Sequence, residues 1–329
     1  MMNIRRITTA VTLLLVLAAC TQAAFMDPGF GARPMAMGGA FTAVSDDANA
    51  PSWNPAGMAS VEGINANFMH SRLFTGLDGV NIWLNYASVV LPTDDVPRLG
   101  GYSVKDIGTF GIAWTSLVSR NLYREDTLIL AYANRINRYI DAGGGIKYLG
   151  RGYTLDKYAE ADPVFEDSSS AHTVTADIGM LIRPWGDPEE GLRVGISGQN
   201  LIPADTGIQK EDIVPAVFKI GAAYKMPPLR IFRKIDVSGA VAALDVSYRD
   251  QRWGETFGNK INIHFGLEGR FLEDSLALRC GANTADVSIG AGYVTDIEGI
   301  RTGFNYAFAL PFRIRSTYGT HRLSLNTRF

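Results

Sequence analysis

From residue 61 onward, apolar and polar side chains alternate almost one for one. In Thr173–Arg183, the residues Val174, Ala176, Ile178, Met180 and Ile182 share one face; Thr173, Thr175, Asp177, Gly179 and Arg183 fall mostly on the other. Ile261, Ile263, Phe265, Leu267 and Phe271 likewise oppose Asn262, His264, Glu268 and Arg270. Leu192, Val194 and Ile196 oppose Arg193, Ser197 and Gln199, and Val80, Ile82, Leu84 and Tyr86 oppose Asn81, Trp83 and Asn85. A period of two belongs to a strand with two unlike faces. A soluble sandwich gives the same signal, so length has to decide. These runs last about 9–12 residues, the length of a tilted membrane-crossing strand rather than an ordinary soluble one.

The pattern predicts strands over 61–69, 79–91, 107–118, 125–136, 139–151, 171–183, 191–201, 214–226, 234–248, 260–271, 275–283, 286–294, 299–310 and 318–329. That is an all-β chain: an antiparallel up-and-down transmembrane barrel of about fourteen strands, an even number as in bacterial single-chain barrels. An even count puts both barrel ends on the periplasmic side. Long connections at 152–170, 202–213 and 249–259 then fall outside, and short ones at 137–138, 272–274 and 295–298 fall inside. Residues 92–106, with Pro92 and Pro97, break this rule by being long and inside. The last strand places Leu323, Leu325, Thr327 and Phe329 on one face and ends on an aromatic residue, which looks like the signal that barrel-assembly machinery reads.

The first 60 residues follow other rules. Residues 1–24 read as an export signal, with Arg5 and Arg6, an apolar stretch from Ile7 to Ala19, and small residues after it. Leu17-Ala18-Ala19-Cys20 matches a lipobox, which would leave a lipidated Cys20; cleavage after Ala23 or Ala24 is the competing route. Residues 25–60 lack alternation. A short helix is expected from Met35 to Asp46, and Asn54-Pro55-Ala56 reads as a cap and first turn. Small residues such as Gly38 and Gly39 would let this segment lie against the inside of a barrel wall. The domains are therefore signal peptide 1–24, hatch 25–60 and barrel 61–329.

Composition agrees. The mean hydropathy is +0.03, and beyond the leader there is no apolar run of membrane-helix length; a barrel escapes that test because only alternate residues face lipid. A net charge of -2 gives no footprint for nucleic acid. Cys280 lies mid-strand, reads as a small apolar packing residue, and is not expected to bridge to Cys20.

Several motifs together resemble a known family. Gly31, Arg33, Met37, Gly38 and Gly39, with Trp53-Asn54-Pro55-Ala56-Gly57, are similar to the N-terminal hatch of FadL-type outer-membrane transporters, and closer to their PorV/PorQ branch. The segments Val194–Leu201 and Gly319–Leu325 resemble that branch too. The resemblance implies a fourteen-stranded barrel in the outer membrane with the Asn-Pro-Ala segment in its lumen. For FadL relatives it implies diffusion of hydrophobic small molecules such as long-chain fatty acids. For PorV relatives it implies service to a type IX-like secretion system by binding secreted proteins.

Catalytic, cofactor and metal-binding patterns are not recognised. The four histidines form no His-Glu-x-x-His, Gly29-Phe30-Gly31 is followed by Pro34 where a dinucleotide loop needs Gly, and Ser197 lacks the Gly-x-Ser-x-Gly elbow. The predicted inward faces carry Asp177, Arg183, Arg193, Gln199, His264, Glu268, Arg270, Arg279, Asn305, Arg322 and Arg328. Mutual pairing, and pairing with the hatch, is the simpler expectation; arginines meeting a ligand carboxylate is the alternative. Arg33 is expected to meet Asp177 or Glu268. Trp83 is expected in the lumen, with other aromatics in interface girdles. Gly143–Gly145 and the Gly290/Gly292 pair are candidate kinks for a lateral opening.

Overall fold

A computed structural model describes residues 25, 28–79, 81–95, 98–99, 102–103, 107–120, 122–155, 168–185, 190–231, 235–250, 260–314 and 316–329. The leader with Cys20, Trp253 and the acidic stretch Asp156–Asp167 lie outside them.

Fourteen long strands make the wall: β1 (Asn65–Leu73), β2 (Ile82–Pro92), β3 (Thr109–Ser119), β4 (Tyr123–Asn137), β5 (Ile140–Tyr153), β6 (Ser170–Ile182), β7 (Gly191–Gln199), β8 (Val217–Met226), β9 (Ile235–Arg249), β10 (Ile261–Phe271), β11 (Leu276–Asn283), β12 (Asp286–Ile297), β13 (Ile300–Pro311) and β14 (Thr320–Arg328). Each pairs antiparallel with its chain neighbours, and β1 pairs with β14 from Asn65↔Arg328 to Arg72↔His321. The sheet is closed, so no long edge remains unpaired. Large apolar side chains occupy the outward positions of nearly every strand, among them Ile112, Leu130, Ile146, Ile178, Ile220, Ile263, Ile289 and Leu323. Ile146 is 63% exposed and Leu323 61%, values a soluble sheet would not tolerate as a continuous belt. The wall is therefore a transmembrane one.

The predicted strands all form, with ends shifted. The largest shift is at the first, expected over 61–69 and observed over Asn65–Leu73. Val61 packs under the hatch, and Gly63 turns the chain at φ 70°, so pairing starts only afterwards. The long connection 92–106 carries a short ribbon, Arg98–Leu99 with Tyr102–Ser103.

The alternation misplaced one face. On β2 the buried positions are Leu84, Tyr86, Ser88 and Val90, so Trp83 points outward, not into the lumen. There it stacks with His70 at 5.1 Å and lies under the Arg72 guanidinium at 5.2 Å. The cause is the plug, which is apolar on this side and makes the lumen-facing set of β2 apolar. Cys280 also faces outward and is exposed rather than packed.

The expected kinks are absent from the ladders. Gly143, Gly144 and Gly145 pair without a break to Gly179, Ile178 and Asp177, and Gly290 and Gly292 pair to Ala307 and Asn305. Register shifts fall instead between Arg135 and Asn137 on β4 and between Val237 and Gly239 on β9. The β6–β7 ladder is short, running only from Ile178↔Gly198 to Ile182↔Val194.

Candidate functional site

The hatch is built from short pieces: helices α1 (Ala32–Ala36) and α2 (Ala50–Trp53) and a 3-10 turn over Pro55–Ser60. The helix expected over 35–46 does not form. Gly38 (φ 65°) and Gly39 (φ 79°) turn left-handed and end α1 after five residues. The Asn54 reading holds: its side-chain carbonyl accepts from the Ala56 N–H at 3.2 Å, capping the turn, and Pro55 sits first in it.

Asn54 does more than cap. Its amide nitrogen donates to the Thr42 carbonyl at 2.9 Å and the Met180 carbonyl on β6 at 3.1 Å. It thus joins two parts of the hatch to the wall while fully buried. Asn54→Ala removes the cap and two donors and leaves buried carbonyls unpaired. Loosening of the hatch by about 1–3 kcal/mol is expected, read as faster proteolysis of residues 28–60 in detergent-folded protein with the barrel intact.

A dense ionic clasp holds the hatch on one side. The Arg33 guanidinium reaches Asp46 at 2.7 Å, Asp47 at 2.8 Å and Glu268 of β10 at 2.8 Å. Glu268, wholly buried, also takes Arg279 at 2.6 Å and Arg270 at 3.1 Å. Lys225 of β8 reaches Asp46 at 2.7 Å. Arg193 is buried on the inward face of β7 and adds positive field at Asp46. Arg33 therefore meets Glu268 and not Asp177, which instead pairs with Lys147 at 2.7 Å. The inward charges neutralise one another, as burial requires.

Burial alone would raise the Asp46 carboxyl, but Arg33, Lys225 and Arg193 hold it well below the usual range. A lowered folded-state pKa stabilises docking above the ordinary carboxylate value, roughly 4, and that contribution fades as pH falls through the lowered value. The hatch is thus expected to stay protease-resistant at pH 5 and to loosen only below pH ~4.

Wall groups also serve the hatch backbone. Asp245 of β9 accepts from the Phe41 and Thr42 N–H groups at 2.9 and 2.7 Å. Ser324 of β14 accepts from Ala32 N–H at 2.9 Å, and Arg322 donates to the Pro28 carbonyl at 2.7 Å. Gln199 donates to the Ser52 carbonyl at 2.9 Å. His264 Nδ1 faces the Gly38 carbonyl at 2.9 Å, so that nitrogen carries the proton. At the end bearing the barrel's chain termini, Arg183 forms a two-pronged pair with Asp141, which also accepts from Ser60 at 3.0 Å. Arg328 lies at the rim rather than in the lumen and pairs with Glu62.

The wall glycines turn out to be seats for the plug. A Cβ on Gly281 would stand 2.2 Å from Gly38 N, and one on Gly143 would stand 2.7 Å from the Pro55 carbonyl carbon. Neither neighbour can yield, because both belong to backbone. Gly290, expected as a kink, instead leaves room for Ala36.

The opposite side of the plug carries a larger apolar cluster than the patch of Met37, Phe41 and Val44 against β8 and β9. Ala50, Met58 and Val61 of the hatch region meet Met69, Leu73, Leu84, Tyr86, Val90, Ile129 and Ala131 of β1, β2 and β4 in one cluster, with Phe30, Phe74 and Leu117 against it. Phe30 stacks on Tyr86 at 5.6 Å. Beyond the plug, residues 200–216 fold inward, pinned by Arg151 to Asp212 at 2.5 Å, and bury Ala204 and Val214 beside Leu149. Sequence reasoning missed Asp245, Asp141, Lys225 and Asp46. Their common signal is a lone charge at a lumen-facing strand position or in the hatch.

No protein-family model and no curated protein sequence matches the chain. Solved structures do match in fold. The toluene transporter TbuX of Ralstonia pickettii aligns with TM-score 0.56 at 13% identity, over 93% of this chain and 100% of its own. A FadL homologue of Pseudomonas aeruginosa gives 0.56 at 13% identity over 93% and 99%. The CymD monoaromatic hydrocarbon channel gives 0.54 at 11% identity over 93% and 99%. The fold is that of FadL-type outer-membrane barrels.

Proposed function

We propose that the protein is an outer-membrane transporter that lets hydrophobic small molecules, such as fatty acids or monoaromatic hydrocarbons, pass beside its hatch. The carrying observation is a continuous apolar seam between the plug and β1, β2 and β4, crossed by no ion pair among the described residues, whereas the apolar patch of Met37, Phe41 and Val44 against β8 and β9 lies beside the ionic clasp. The apolar cluster runs from Leu73 and Phe74 near one rim to Val61 near the other. An apolar solute can slide along such a boundary without breaking an ion pair; a polar one gains nothing there. The names of the structural neighbours point the same way. No catalytic residue, cofactor or metal enters this reading.

In the same reading, both barrel ends face the periplasm, and Leu323, Leu325 and Phe329 present the assembly signal. Assignment to the PorV/PorQ branch rests on the hatch residues Gly31 to Gly57 and on the segments Val194–Leu201 and Gly319–Leu325. The acidic stretch on which service to a secretion system would rest lies outside the described residues.

Uptake of a labelled fatty acid or of toluene into vesicles carrying lipopolysaccharide should rise with the protein present. Leu84→Asn, which puts an amide in the apolar boundary, should cut that rise severalfold while heat-modifiable gel migration persists. Uptake no faster than in protein-free vesicles overturns the proposal.

A further inference from the structure

Phe25 sits apart from the rest of the hatch. Its ring packs against Leu149, Ala204 and Val214, and its backbone nitrogen donates to Glu125 Oε1 at 2.9 Å. Glu125 is a lumen-facing residue near the start of β4, so Phe25 lies inside the barrel, toward the rim opposite Asn65 and Arg328. Glu125 is 9% exposed. Its other bond is to the Tyr123 hydroxyl. The nearby Arg151 is committed elsewhere, to Asp212, the Thr206 carbonyl and the Tyr153 hydroxyl. Among the described residues, no side-chain cation pairs with Glu125. A buried carboxylate held by two neutral donors, with only the field of a guanidinium bonded elsewhere to balance it, is costly. The Phe25 nitrogen, already within hydrogen-bond reach of that carboxylate, is the position from which a cation would pair with it.

The sequence can provide one. Ala23 and Ala24 precede Phe25 at the end of the export signal, and cleavage there converts an amide nitrogen into an ammonium. We propose that export processing cuts between Ala24 and Phe25, and that the new α-ammonium of Phe25 forms a buried ion pair with Glu125. In the hydrolysis, water supplies a hydroxyl to the Ala24 carbonyl carbon and a proton to the departing Phe25 nitrogen. That nitrogen then takes up a further proton at neutral pH. The first residue of the mature chain is thus tied inside the mouth, its ring in the Leu149–Ala204–Val214 pocket.

Geometry argues against the lipidated alternative. Five residues from Cys20 to Phe25 reach at most about 18 Å. From Glu125, β4 continues twelve residues to Asn137. At roughly 3.4 Å per residue and a tilt of about 45°, that is about 29 Å of depth. Cys20 itself would stop about 11 Å short of the rim where the barrel's chain termini lie, too deep in the lumen for its acyl chains to be seated in the leaflet.

Intact-mass measurement and N-terminal sequencing of protein purified from outer membranes should give one species beginning at Phe25 with no acyl mass. A start at Ala24, or an acylated Cys20, overturns the cleavage. The ion pair is tested by labelling the α-amine with an amine-reactive ester at pH 7, using the exposed Lys210 as internal control. Glu125→Gln keeps the size and the bond to Tyr123 but not the charge. The wild-type amine should react about tenfold more slowly than the variant's, matching one unit of raised ammonium pKa. Equal rates in two proteins that both show heat-modifiable migration overturn the pair.

Discussion

Glu268→Ala unseats the hatch. The substitution leaves Arg33, Arg279 and Arg270, which all converge on that carboxylate within 3.1 Å, facing one another with no anion between them. Removing one member of a buried ionic cluster costs about 3–5 kcal/mol, on the order of a hundredfold or more in the docking equilibrium. The wall does not depend on it, because each of its ladders is closed by backbone bonds. The expected result is a folded, heat-modifiable barrel whose residues 28–60 are cut rapidly by added protease, and which conducts ions in a planar bilayer. A variant that stays sealed and protease-resistant would mean that the clasp is dispensable. Glu268→Gln should fall between, since it keeps one acceptor oxygen but loses the charge and turns the other oxygen into a donor facing the arginines.

Gly281→Val should evict the same segment by a different route. Its first side-chain atom would lie 2.2 Å from both Gly38 N and the Met37 carbonyl carbon, so Met37–Gly39 would have to move away from the wall. Overpacking typically costs 1–3 kcal/mol and sometimes more, and here the obstruction is main chain. A β-branched residue suits the strand itself, so the barrel is expected to hold or gain stability while the hatch loosens. Unchanged hatch protection would show that the plug can reseat without Gly38 at the wall. Combined with Glu268→Ala, the effect should be less than additive, because both changes report one docking event.

The wall was legible because lipid outside and a wet or charged lumen inside impose strict alternation, as in Val174 to Ile182. Asn54-Pro55-Ala56 was legible for a local reason: a cap and a proline-started turn need no tertiary knowledge. Alternation failed at β2, where Leu84 and Tyr86 meet an apolar plug; a two-residue period reports two unlike faces but not which medium each one meets. It also could not rank the inward charges. Glu268 and Asp177 look alike along the chain, yet only Glu268 faces Arg33. The glycines were misread for a related reason. As isolated strand residues they suggest bends, whereas Gly281 and Gly143 are explained by a partner some 240 and 90 residues away in the chain, on the order of which no local rule can see.

The grip of β14 on the hatch bears on assembly. Ser324 and Arg322 hold Ala32 and Pro28, so β14 fixes the first part of the plug. The same strand closes the cylinder by pairing with β1. Seating the stopper and sealing the wall therefore draw on one strand, and a barrel with β14 unpaired would be open-sided and would lack its hold on Pro28 and Ala32.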